Sequence, residues 1–125
     1  MDGKYHDSNI LDVLFTEPEA IYLMDKAYVN FAALYLMHKA GSFFVNWAKV
    51  TIDYEDVECN YNIDERTGLR SDKTIKLWGP KSKRLYPEIL RIVEYYDVEK
   101  NILLVFLNNN FNASALEIAR LYKNR

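Results

Sequence analysis

Apolar and polar positions alternate along this chain in two rhythms. From Asp7 to Phe15, Ile10, Leu11 and Leu14 fall at helical spacing, with Asp7 or Ser8 placed to cap the first turn. Pro18 breaks that rhythm, and Ala20 to Met24 is a short apolar run of strand type that ends at Asp25. Asn30 is a cap-type residue ahead of Phe31, Leu34, Tyr35 and His38, which mark one side of a second helix closed by Gly41. Ser42 to Lys49 carries Phe43, Phe44, Val45 and Trp47, a dense β-forming set. Strand, helix and strand over residues 20–49 predict a βαβ unit, with parallel strands and its working loops at their carboxyl ends.

The middle of the chain changes rhythm. Residues 50–107 show strand-like runs and no convincing helix. The candidates are Thr51 to Val57, Asp72 to Trp78, Ile89 to Tyr96 and Ile102 to Leu107. Thr67-Gly68 reads as a turn, Gly79-Pro80 and Pro87 as breaks, and Asp97 to Asn101 as a hairpin turn. Asn108-Asn109-Asn110 ends the last strand. Ala113 to Arg125 returns to helical spacing, with Leu116, Ile118, Ala119, Leu121 and Tyr122 on its apolar side. The expected fold is α/β: a partial core from residues 1–49 and 113–125, split by a β-rich antiparallel insertion over residues 50–112. No repeat or low-complexity tract interrupts it.

Composition narrows the classes. The chain has 125 residues, half of them apolar, which is enough for one compact domain with a core. The single cysteine, Cys59, rules out an internal disulfide framework, and a reducing cytoplasm fits. The longest apolar stretch, Phe31 to Met37, falls well short of the ~20 residues that a membrane helix needs. The formal net charge of -2 makes no global electrostatic case for nucleic acid. Locally the balance differs. Lys73, Lys76, Lys81, Lys83, Arg84 and Arg91 stand against Glu88 alone, with Trp78 and Tyr86 among them. That stretch reads equally as a DNA-backbone patch or as a solvated loop.

Asp25 is the sharpest candidate for chemistry. A carboxylate at the carboxyl end of a buried strand sits where α/β folds place functional groups, and it can hold Mg²⁺. One carboxylate does not make a two-metal site, and taken alone Asp25 reads more simply as a loop cap. His6 and His38 share no ligand spacing with Cys59 and read as ordinary histidines. The Tyr95-Tyr96 pair reads as sheet packing.

A family resemblance adds to this. Tyr22-Leu23-Met24-Asp25-Lys26-Ala27-Tyr28-Val29-Asn30-Phe31 resembles the second-aspartate motif of DDE transposases, in the large family named after insertion sequence four. In that family an apolar strand ends in Asp, a basic residue, Gly and Tyr follow, and an Asp-Phe pair opens a helix. Gly41 to Lys49 resembles the next strand, and Asp2 to Asp7 the turn before the short first helix. Thr67-Gly68 and Leu77 to Ser82 resemble parts of the family's inserted β region, and Leu104 to Phe111 the strand leading to its last catalytic helix. Leu121-Tyr122-Lys123-Asn124-Arg125 resembles the start of its Tyr-x-x-Arg-x-x-x-Glu signature. The pieces cover nearly the whole chain, in order.

The resemblance implies an RNase H-like core whose parent enzymes cut and join DNA with Mg²⁺ held by three carboxylates. Asp25 would be the second of these acids and a metal ligand. Tyr122 and Arg125 would contact DNA phosphate, as a planar guanidinium suits. The first acid would lie before Met1 and the catalytic Glu four residues beyond Arg125. The chain then reads as the interior of a longer protein and as inactive alone. Ala27, Asn30 and Trp47 stand where the family favours Gly, Asp and Arg. Expected partners are DNA at transposon ends and either an intact transposase or further copies of the chain; no membrane partner is expected. Two other readings stay open: a non-catalytic DNA-binding or regulatory remnant, and an unrelated small α/β protein.

Overall fold

A computed structural model describes residues 21–24, 30–47 and 53–123. The strands among them are β1 (Ile21–Met24), β2 (Phe43–Trp47), β3 (Tyr54–Cys59), β4 (Leu69–Leu77), β5 (Leu90–Asp97) and β6 (Ile102–Asn108). The α-helices are α1 (Phe31–Lys39), α2 (Pro80–Leu85) and α3 (Ala115–Lys123), and a short 3₁₀ turn covers Glu65–Thr67. The helix expected over Asp7 to Phe15 lies outside the described residues.

All six strands join one sheet in the order β1-β2-β6-β5-β4-β3. β1 and β2 pair in parallel, from Ile21 opposite Phe43 to Met24 opposite Asn46. This is the predicted βαβ unit, with α1 as its crossover. Every other pairing is antiparallel. The β-rich segment therefore continues the same sheet, because β6 hydrogen-bonds β2 directly.

Strand alternation sends side chains to two faces, and each face buries a core. On one face Phe44, Ile75, Leu77, Leu90, Ile92 and Leu107 pack with Ala33, Leu34 and Met37 of α1 and with Tyr86. On the other face Val45, Leu69, Val93, Leu104 and Phe106 pack with Ala115, Ile118 and Ala119 of α3. The result is three layers: α1 and α2, the sheet, then α3.

Local signals set most boundaries. The Asn30 side chain accepts from Ala33 N at 3.1 Å, and Gly41 takes a positive φ of 80° just past α1. At the β5–β6 hairpin, Asp97 accepts from the N–H groups of Glu99 and Lys100, and Asn101 adopts φ 54°. Ser114 and Glu117 form a reciprocal capping box at the start of α3.

α2 corrects the expectation that residues 50–107 hold no helix. Gly79-Pro80 starts the helix: proline at the first helical turn loses no backbone bond. With six residues, α2 is too short for apolar periodicity to announce it.

Candidate nucleic-acid interface and the carboxyl end of β1

β1 stops at Met24, immediately before Asp25, and its neighbour β2 runs in the same direction. Asp25 thus follows the carboxyl end of a parallel strand, but it lies outside the described residues, as do His6 and Arg125. Tyr122 falls in the last turn of α3. α3 begins beside Arg91 and packs with Val93, Leu104 and Leu69, so it runs along β5 toward Tyr95. That direction matches β1 and β2. α3 nevertheless lies over β5 and β4, with β2 and β6 between those strands and β1. At about 4.8 Å per strand step, β1 is roughly 14 Å from β5.

The described residues do not fit a divalent-metal site: no three of their His, Cys, Asp or Glu side chains cluster to hold an ion. Asp25, the carboxylate expected to hold Mg²⁺, lies outside those residues.

The basic stretch breaks up in three dimensions. Arg91 is buried on β5, where its Nε donates to Asp72 Oδ1 at 2.9 Å and its Nη2 to Asp72 Oδ2 at 3.0 Å. Its Nη1 donates to the carbonyls of Asn110 (2.8 Å) and Ala113 (2.6 Å). Arg91 is thus committed to holding the loop before α3, which overturns its place in a DNA patch. Lys73 is 3.8 Å from Asp56, and Lys76 stands opposite Glu55. Tyr86, also expected among the basic residues, is 1% exposed.

Lys81, Lys83 and Arg84 remain together. They sit on α2, not on a strand; all three are exposed, and none forms an ion pair among the described residues. Trp78, just before this helix, is 60% exposed. The nearby acids in the chain are Asp53, whose carbonyl accepts from Trp78 N, and Glu88.

Pattern reading missed three features. His38 meets Tyr86, with the phenol oxygen 3.0 Å from Nδ1, and Tyr35 stacks on the imidazole. Burial, and then the Glu88 carboxylate, push the Tyr86 phenol far above its ordinary range. The Asp72–Arg91 pair spans 19 residues of sequence. Asn46, opposite Met24, is fully buried with neither amide atom hydrogen-bonded. No local sequence signal marks any of them, because each depends on strand register or helix docking.

Cys59 is half-buried, with Sγ 3.8 Å from Asp56 Oδ2. It borders an open cleft of about 540 Å³ whose lining mixes Arg70 and Lys73 with Asp56, Glu65 and Asp72. Tyr95 packs against the α3-side core, as the sheet-packing reading expects. No helix among the described residues is long and apolar enough to cross a membrane. No protein-family model, curated protein or solved structure matches this chain.

Proposed function

We propose that this chain is part of the catalytic domain of a DDE-type DNA transposase with a partial RNase H-like core, and that by itself it binds duplex DNA without cutting it. The observation that carries this reading is the parallel β1–α1–β2 unit that delivers the chain to Asp25. The strand, helix and strand follow one another as the motif over Tyr22 to Trp47 implies. The sequence of later elements supports it: a β-rich run, a last strand ending at Asn108, then α3 carrying Tyr122. Asp25 is one of three acids the chemistry needs, so the chain holds DNA but does not hydrolyse or join it.

The exposed cations of α2 favour the DNA-binding part of this reading. Among the described residues Lys81, Lys83 and Arg84 form no ion pair, which leaves their charge to phosphate. The partner is DNA, at the ends of a mobile element, in the cytoplasm.

The test is a labelled duplex titrated with wild-type chain at low and moderate salt, with and without Mg²⁺. Binding that weakens with salt and leaves both strands intact is expected. Absence of binding at low salt removes the DNA reading. Mg²⁺-dependent nicking that vanishes in Asp25→Ala removes the claim that the chain does not cut.

A further inference from the structure

The cations that share a surface are not those that share a stretch of sequence. α2 leans on α1, and Tyr86, which caps the C-terminal end of α2, is wedged against His38 and Tyr35 of α1. Lys39 ends α1, and its ammonium lies 5.6 Å from the centre of the Tyr35 ring. The Tyr35 ring is in turn 5.3 Å from that of Tyr86. Lys39 and the end of α2 that carries Lys83 and Arg84 therefore both border the Tyr35–Tyr86 contact, although more than 40 residues separate them in the chain. Like the α2 cations, Lys39 is exposed and forms no ion pair among the described residues.

We infer that the phosphate backbone of duplex DNA docks across α1 and α2 together, on a surface made of Lys39, Lys81, Lys83 and Arg84. This rests on the DNA-binding reading above and gives it a location. Four exposed cations with no ion pair among the described residues, on two touching helices, match a polyanion, and the Tyr86–His38 hydrogen bond fixes the spacing between the helices. Of the α2 cations' sequence neighbours, Lys73 and Arg91 are excluded by their carboxylate partners, and Lys76 because it alternates with Ile75 and Leu77, whose side chains face α1 and Tyr86. The position has a consequence for reach. α1 runs away from the Asp25 end of β1, and its nine residues at 1.5 Å each carry Lys39 about 14 Å from the helix start. The surface thus grips DNA beside the Asp25 end and not at it.

Fluorescence anisotropy of a labelled duplex, measured over a salt series, tests this. The proteins are wild type, Lys39→Ala, Lys39→Arg, the triple variant Lys81→Ala/Lys83→Ala/Arg84→Ala, and Lys76→Ala as an off-surface control. Lys39→Ala should weaken binding about threefold to tenfold and make the logarithmic salt slope shallower by about 0.9. Lys39→Arg should restore both, and Lys76→Ala should match wild type. If the triple variant loses affinity while Lys39→Ala does not, DNA engages α2 alone: this inference is wrong and the DNA reading stands. If Lys76→Ala weakens binding as much as Lys39→Ala, the contact is diffuse and the inference is again wrong. A wild-type chain that fails to bind duplex at low salt overturns the underlying reading. Polyglutamate competing as well as unlabelled duplex would assign the surface to an acidic protein instead.

Discussion

Arg91 grips Asp72 through two parallel hydrogen bonds and, with its remaining nitrogen, holds the carbonyls of Asn110 and Ala113. Asn60 completes the cluster by donating to Asp72 at 3.2 Å. One buried ion pair thus joins β4, β5 and the loop that launches α3. Removing Arg91 leaves a buried carboxylate and two carbonyls without partners. Arg91→Ala should destabilise the chain by about 3–5 kcal/mol, measured by denaturant unfolding. Arg91→Lys keeps the charge but not the fork and should recover only part of that loss. A variant as stable as wild type would show that water replaces the guanidinium.

The same pair makes stability depend on pH in a defined direction. Burial raises the Asp72 pKa, but the hydrogen bonds from Arg91 and Asn60 and the charge of Arg91 outweigh it, so the carboxyl titrates below its usual value. A depressed pKa stabilises the fold fully above the unfolded value of about 3.9, and that contribution is lost as pH falls through the folded value. Unfolding free energy should therefore hold between pH 5 and 7 as far as Asp72 is concerned, and drop below about pH 4. Asp72→Asn, though weaker at neutral pH, should show a shallower acid-side fall.

Tyr86→Phe removes one hydroxyl from the α1–α2 contact. The ring still packs edge-on against Phe44, so the loss should be about 1 kcal/mol. Tyr86→Ala opens a cavity in the core that Tyr86 shares with Leu34 and Leu77 and should cost about 3–5 kcal/mol. Thermal unfolding of both variants separates the hydrogen bond from the packing.

Gly68 adopts φ 105°, and a Cβ there would come within 2.6 Å of Tyr95 Cε1 and 3.0 Å of the Tyr96 carbonyl oxygen. Its own carbonyl also accepts from Tyr96 N at 2.7 Å, so the backbone has no room to retreat. Gly68→Ala should cost about 1–3 kcal/mol, from strain as well as contact. A denaturation midpoint equal to that of wild type would show that the turn relaxes.

Much of this fold is legible from pattern alone. Asn30, Gly41, Thr67-Gly68, Gly79-Pro80 and the Asp97–Asn101 turn each act within a few residues, so composition and spacing mark them. The β1–α1–β2 unit follows from the same logic, because parallel neighbours need a crossover and a helix between two apolar strands supplies it. The site is legible only as a set of candidates. Asp25, Tyr122 and Arg125 stand out by motif; Asp25 and Arg125 lie outside the described residues, and Tyr122 falls in the last turn of α3. The basic run from Lys73 to Arg91 reads equally as a patch or a solvated loop, because sequence does not show which way each side chain faces.

Tertiary structure decided the rest, since strand pairing and burial, not adjacency, choose the partners. Pairing β4 with β5 set Asp72 beside Arg91 and turned a surface cation into an internal strut. Docking α2 on α1 brought the helix that ends in Lys39 against the helix that carries Lys83 and Arg84. The sequence by itself marked the strand runs, α1, α3 and the turns between them, because turn chemistry and apolar period act locally, and it missed only the short α2 among the described α-helices. Which charges stay free to meet a partner was settled only when distant elements packed, because a charge is spent or spared by its neighbours in space.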